Sequence, residues 1–188
     1  MLMITIDQEQ PFDSSQIETL LDTVFGDERF SKSSHALRVD NPILSNLSLV
    51  AREGSRIVGT VRFCPAHIHD MLLGKNANAV FLGPLAIHPD YQGKGLGSQL
   101  MRKAMAGVKA VGHKRVLLVG DEAYYQRFGF ESVLPSFITL PTGKDRRLLI
   151  AKPATVSALP AVGKILAGFA PLEASSSEPR FGELAPAA

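Results

Sequence analysis

The chain has 188 residues, of which 20 are Lys or Arg and 18 are Asp or Glu. With 45% apolar and 20% charged residues, it has the composition of one soluble folding unit, which excludes collagen, coiled coil and wholesale disorder. A formal charge of +2 does not suit a protein that coats nucleic acid, and the lone Cys64 excludes an internal disulfide, as expected of a reducing cytoplasm.

Residues 1–6 alternate weakly, as a first strand would, and lack the basic and apolar regions of a secretory leader. Ser15 with Glu18 three positions on reads as a capping box. Ile17, Leu20, Leu21, Val24 and Phe25 follow at helical spacing, and Gly26 stops them. A short helix is expected around Ser33–Val39. Leu47–Ala51 and Ile57–Phe63 read as strands of a hairpin turning at Glu53-Gly54-Ser55-Arg56. A third strand over Ala79–Ile87, the longest apolar stretch and too short to cross a membrane, contains Gly83-Pro84. Because proline donates nothing to a ladder, a break, bulge or splay is expected there.

Residues 98–111 carry the clearest helical pattern. Leu100, Ala104 and Val108 share one face, flanked by Met101, Met105 and Val111, and Gly112 is placed to end the helix. Val116–Val119 is a short buried strand. Asp121 caps a helix through Phe128 that Gly129 ends. Strands around Phe137–Leu140 and Leu148–Ala151 follow. The tail from Pro171 is rich in Ala, Ser, Glu and Pro and is expected to be flexible or to form an interface. Helices between strands, with hairpins on either side, indicate an α/β or α+β domain with a mixed sheet.

The most informative segment is Leu85-Ala86-Ile87-His88-Pro89-Asp90-Tyr91-Gln92-Gly93-Lys94-Gly95-Leu96-Gly97. It leaves a strand, passes a glycine-dense turn and enters the strongest helix. Glycines at alternate positions leave backbone N–H groups uncovered beside the positive end of a helix dipole, which suits a phosphate or pyrophosphate. The string fits neither the Walker loop nor the G-x-G-x-x-G dinucleotide fingerprint. Between His88 and Arg115 stand six basic residues, Lys94, Arg102, Lys103, Lys109, Lys114 and Arg115, against the single acid Asp90.

Gln92-Gly93-Lys94-Gly95-Leu96-Gly97 resembles the Q-x-x-G-x-G/A signature of the GNAT acyltransferase superfamily. Tyr124-Tyr125-Gln126-Arg127-Phe128-Gly129-Phe130 resembles its second mark, an aromatic pair ending in Gly-Phe. Together with Leu82-Gly83-Pro84-Leu85-Ala86 and Gly120-Asp121, they are similar to one bacterial subgroup of predicted N-acetyltransferases, over roughly residues 1–140. The resemblance implies a GNAT fold: a mixed, mostly antiparallel, twisted sheet of about six or seven strands, splayed in the middle, with about four helices. It implies a domain over 1–152 followed by a C-terminal extension over 153–188.

The resemblance further implies an acetyl-CoA-dependent N-acetyltransferase. Its cosubstrate site would be the backbone of Gln92, Gly93, Lys94, Gly95, Leu96 and Gly97 for the pyrophosphate, and of Leu85, Ala86 and Ile87 for the pantetheine arm. Tyr125 stands at the family position of the acid that meets the leaving thiolate, whereas Tyr124 lies on a different helix face and packs. Many family members place a carboxylate base on the strand before the loop, and Ala79–Ile87 has none. Glu122, Asp121, His88, His67 and His69 are therefore candidate bases. Phe25, Arg29, Phe30, His35 and Arg38 lie toward the acceptor region, with Arg38 read as either a carboxylate partner or a solvent-exposed arginine. Cys64 reads as a buried structural cysteine, and no ligand spacing indicates a metal. The partners expected are acetyl-CoA and an amine, with a homodimer as the assembly the family suggests and no nucleic acid or membrane. Two other readings stay open: a GNAT fold that binds CoA or acyl-CoA without transfer, and a nucleotide-phosphate protein using the same loop.

Overall fold

The computed structural model describes residues 3–134, 137–143, 145, 147–151 and 159–170. The expectations for the tail from Pro171 lie outside the described residues. Nine strands form one sheet: β1 (Ile4–Gln8), β2 (Leu49–Glu53), β3 (Arg56–Asp70), β4 (Asn76–Ile87), β5 (Val116–Val119), β6 (Phe130–Ser132), β7 (Phe137–Thr139), β8 (Leu148–Ala151) and β9 (Val162–Ala167). Three α-helices accompany them: α1 (Ser14–Phe25), α2 (Leu96–Val111) and α3 (Glu122–Tyr125). The main strand order is β1-β2-β3-β4-β5-β8-β6, and β9 joins β3 to β7. Only β4–β5 and β7–β9 are parallel.

This is the mixed, mostly antiparallel sheet expected of a GNAT fold, with more strands than anticipated. The surplus is β6, which pairs with β8, and β9, which pairs with β3 and β7. The second hairpin strand does not stop at Phe63 but runs on to Asp70. Its first half pairs with β2 and its last five residues pair with β9 along the same edge. His67 and His69, expected in a loop, therefore stand in a strand. The segment that forms β9 falls in the expected C-terminal extension, yet its Ile165 is fully buried in the core.

Period-two alternation places successive strand residues on opposite faces. Val58, Val80 and Leu82 pack with Leu96, Leu100, Met101, Ala104 and Val108 of α2. Their neighbours Val50, Ile57 and Ala86 pack on the other face with Ile17, Leu20 and Leu21 of α1. Each fully buried Leu or Ile on these faces contributes roughly 1.5–3 kcal/mol. The α2 face agrees with the helical pattern except at Val111, which is 53% exposed. Gly112, at φ 89°, ends α2 by donating its N–H to Lys109 and Val108.

Two local expectations change. The cap of α1 is not Ser15, which lies inside the helix; Asp13 precedes it, and its carboxylate accepts the Gln10 N–H. Asp13 is fully buried and also takes Arg52 at 2.5 Å, so the start of α1 is tied to β2 by a charge pair that outcompetes a serine cap. The helix expected over Ser33–Val39 is a single 3-10 turn, His35–Leu37, anchored by buried Leu37.

The feature that matters most lies in β4. Val61 faces Leu85 and Phe63 faces Leu82, so Gly83 and Pro84 together oppose Arg62. This is a β-bulge at the proline, where a missing N–H disrupts least. On its other edge β4 pairs with β5 only at Val80 and Phe81. From Leu82 onward that edge has no strand partner among the described residues, and the sheet opens into a wedge.

Candidate active site

Two concavities meet at the wedge. A cleft of about 500 Å³ is lined by Gln92, Gly93, Gly95, Leu96, Gly97, Ser98, Tyr124 and Arg127. A cavity of about 420 Å³ is lined by Glu18, Arg29, Lys32, His35, Arg38, Arg62, Gly83, Pro84 and Tyr125, among others. Phe25 and Leu85 line both, so the two form one path along the free edge of β4.

The cleft end is built by the glycine turn. Gly93 and Gly95 have φ of 71° and 79°, which only glycine adopts without strain, and a Cβ at either would meet nothing within 4 Å. The turn thus folds back on itself while leaving open space over its backbone. Gly95 precedes α2 with no side-chain cap, so the first N–H groups of the helix have no partner within it. Gln92 points the other way: its Nε2 donates to the Ile87 carbonyl at 2.8 Å and locks the turn to the end of β4. Lys94 Nζ donates to the Asp90 carbonyl at 2.7 Å. Lining residues outside the expected site include Val24, Tyr91, Ser98, in the first turn of α2, and Arg127, whose guanidinium stacks on Tyr124 at 4.3 Å. An arginine three residues after an aromatic on a helical turn is the signal that the sequence holds for Arg127.

Tyr124 and Tyr125 diverge, one into the cleft and one into the cavity. Their rings meet edge to face at 4.9 Å, and Tyr125 also meets Phe130 at 5.9 Å. The Tyr125 hydroxyl has no hydrogen-bond partner among the described residues. Burial, with a smaller effect of Tyr124, pushes its pKa up to about 12. Gly120 makes room for this ring: a Cβ there would lie 2.3 Å from Tyr125 Cε2.

None of the five candidate bases lines the path. Asp121 caps α3 through the Ala123 N–H. Glu122 accepts the Ser132 N–H. His88 is held by Arg56 and by the Asp90 N–H. His67 bonds the Gly168 carbonyl, and His69 bonds Asn76. Each is explained by local structure, and sequence proximity to the motif did not translate into proximity in space.

The cavity instead takes its ionisable groups from α1 (Glu18), the segment between α1 and β2 (Arg29, Lys32, His35 and Arg38), β3 (Arg62) and α3 (Tyr125). Glu18 accepts Arg29 at 2.7 Å and Arg62 at 2.9 Å. Burial alone would raise the Glu18 pKa, but the two guanidinium groups outweigh it and hold it below the usual value. Arg62, opposite the bulge, also forks onto buried Glu9. Arg38 is not a surface arginine: it is half-buried and lines the cavity. Cys64 is buried as expected, and burial pushes its thiol up to about 11. Among the described residues no cluster of three potential metal ligands exists.

Comparison with known proteins agrees with this geometry. The family model for the acetyltransferase (GNAT) domain matches residues 45–132, from the segment before β2 to the end of β6. The uncharacterized N-acetyltransferase YhbS of Escherichia coli K12 is 33% identical over 123 residues, covering 65% of this chain and 71% of that protein. YjhQ of the same strain, likewise an uncharacterized N-acetyltransferase, is 31% identical over 119 residues, covering 63% and 65%. The crystal structure of Escherichia coli YhbS in complex with CoA superposes with a TM-score of 0.69 at 28% identity, over 87% of this chain and 90% of that one. A GNAT family acetyltransferase from Brucella melitensis in complex with acetyl-CoA gives 0.62 at 25%, over 88% and 96%. The match of the GNAT domain model over residues 45–132, together with a relative 33% identical over 71% of its own length, shows that the chain belongs to the GNAT family of N-acetyltransferases.

Proposed function

We propose that the protein transfers an acetyl group from acetyl-CoA to a primary amine by direct attack. The observation that carries this reading is the single path from the uncapped start of α2, past Leu85, to the Tyr125 hydroxyl. A long cosubstrate with a pyrophosphate at one end and a thioester at the other fits such a path. In this reading the backbone N–H groups of Gln92 through Gly97 hold the pyrophosphate, aided by the helix dipole, and Ser98 and Arg127 stand beside it. The free edge of β4 from Leu85 to Ile87 pairs with the pantetheine amides, as a strand would. The same edge supplies a backbone N–H toward the oxygen that becomes negative during attack.

The amine nitrogen attacks the thioester carbonyl, a C–N bond forms, the C–S bond breaks and the nitrogen gives up a proton. Tyr125 hydrogen-bonds the departing sulfur. Full transfer of its proton, from a phenol at about 12 to a thiolate whose acid is near 8.5, is uphill by roughly 5 kcal/mol. Its role is therefore donation of a hydrogen bond to the thiolate, with the proton released by the amine completing the balance.

β4 carries no carboxylate base, and the cavity wall bears on the amine instead. Four cationic side chains, Arg29, Lys32, Arg38 and Arg62, line the cavity. Glu18, Asp22 and Glu9 pair with Arg29 and Arg62, so the excess positive charge comes from Lys32 and Arg38. That excess disfavours an ammonium and favours the neutral, nucleophilic amine. The test is thermal unfolding with acetyl-CoA, CoA, ATP and NAD in turn, followed by release of free thiol over an amine panel. A ligand at a hundred times its dissociation constant adds about 2.7 kcal/mol. Stabilisation by both CoA species alone, with amine-dependent thiol release, is expected. Stabilisation by ATP or NAD, or none by CoA, would overturn the reading.

A further inference from the structure

The acceptor end of the cavity carries a charge that the protein leaves unanswered. Arg29 is bridged to Glu18 and Asp22, and Arg62 to Glu9 and Glu18. Lys32 lies over the Phe25 ring, 4.2 Å from its centroid. Arg38 has no carboxylate partner among the described residues; its one hydrogen bond runs to Ser34 Oγ at 3.2 Å. Yet it is half-buried, and desolvation is the largest influence on it, opposing its charge. Its Nη1 lies beside the β4 bulge, 3.6 Å from where a Cβ on Gly83 would stand. A guanidinium desolvated beside Phe81 and Gly83, with Glu18 acting on it only from a distance and no carboxylate in contact among the described residues, is costly unless a ligand supplies one.

We propose that Arg38 is the carboxylate-binding residue of the acceptor site, and that the acceptor is a small amino acid whose amine reaches the thioester at the bulge while its carboxylate meets Arg38. The proposal rests on the acetyl-transfer reading above. The fork of one guanidinium matches the two oxygens of one carboxylate. A phosphate dianion would ask for more donors, and of the other arginines of the wall Arg62 is engaged at all three nitrogens while Arg29 keeps only its buried Nε without a partner. The two ends of the acceptor also respond oppositely to the wall: the carboxylate is attracted, while the ammonium is pressed to lose its proton. A cavity of about 420 Å³, shared with the thioester end of the cosubstrate, leaves space for an amino acid.

The full chain is first titrated with CoA by calorimetry. The CoA-saturated protein is then titrated with α-, β- and γ-amino acids, each beside its primary amide, and with phosphoethanolamine. The same amines are assayed for acetylation with acetyl-CoA. The expected result is a preference for one acid over its amide of roughly 10- to 100-fold in affinity and in kcat/KM, the range of one charge-assisted pair. Arg38→Gln should collapse that ratio toward one, and Arg38→Lys, which keeps the charge and loses the fork, should restore part of it. Equal binding of acid and amide, a ratio that survives in Arg38→Gln, or phosphoethanolamine bound above every amino acid would overturn the carboxylate site and leave acetyl transfer standing. A protein that does not bind CoA would overturn both.

Discussion

Gly120→Ala tests whether the position of the Tyr125 ring, and not merely its presence, sets the rate. The new Cβ would stand 2.3 Å from Cε2 and 2.9 Å from Cδ2 of Tyr125, and 3.2 Å from Leu118 Cδ1. Ordinary contact begins near 3.4 Å, so the ring must retreat by about 1 Å, a displacement that costs on the order of 100-fold in a positioned reaction. Leu118 is buried and the other side of the ring meets Tyr124 and Phe130, so retreat also strains the packing by about 1–3 kcal/mol. The assay is kcat for thiol release with the most active amine, beside CoA affinity and melting temperature. Tyr125→Phe should lower kcat and spare CoA binding. The double variant should be little slower than the slower single one, because both changes remove the same hydrogen bond. A Gly120→Ala protein with normal kcat, or strictly additive losses in the double variant, would refute the reasoning.

Other expectations follow from the same geometry. Gly95→Glu puts a side chain at φ 79° and a negative charge over the turn, and should abolish CoA stabilisation in thermal unfolding while the apo protein still folds. Arg52→Met strips the partner from fully buried Asp13 and should cost about 3 kcal/mol or more in urea unfolding. Asp13 is held below its ordinary 3.8: burial alone would raise it, but bonds from Arg52 and the Gln10 N–H prevail. Its contribution is thus present above about pH 4 and is lost as pH falls through the lower folded value. Wild-type stability should drop across that window, and the drop due to Asp13 should shrink in Arg52→Met. Cys64, with a thiol near 11, should resist a thiol reagent at pH 8 in the native protein and react on unfolding.

The parts legible in the sequence were those governed by short-range chemistry. The α2 face declared itself by period, the turn by its glycines, and the β4 irregularity by a proline that has no N–H to give. Each needs only neighbours within a few positions. What the sequence did not disclose depends on residues far apart in the chain. The length of β3 is not legible because its last residues are held between the start of β4 on one edge and β9, about a hundred positions later, on the other. The cap of α1 went to Asp13 because Arg52 of β2 reaches it.

The site divides in the same way. The sequence singles out the Gln92–Gly97 turn as a place where a phosphate would rest, because a run of backbone N–H groups is a local property of such a turn. It also singled out Tyr125 through the aromatic pair. Only tertiary structure decided which ionisable groups face that tyrosine. Three of the five candidate bases sit near the motifs in sequence, His67 and His69 are expected in a loop, and all five are engaged in hydrogen bonds away from the path. Glu18, Lys32 and Arg62 come from α1, the segment between α1 and β2, and β3, and converge with Arg38 on the wedge because β4 leaves β5 after Phe81. Charge acts through space, so the sign of the acceptor wall is decided only once the sheet has opened and the helix has packed across it.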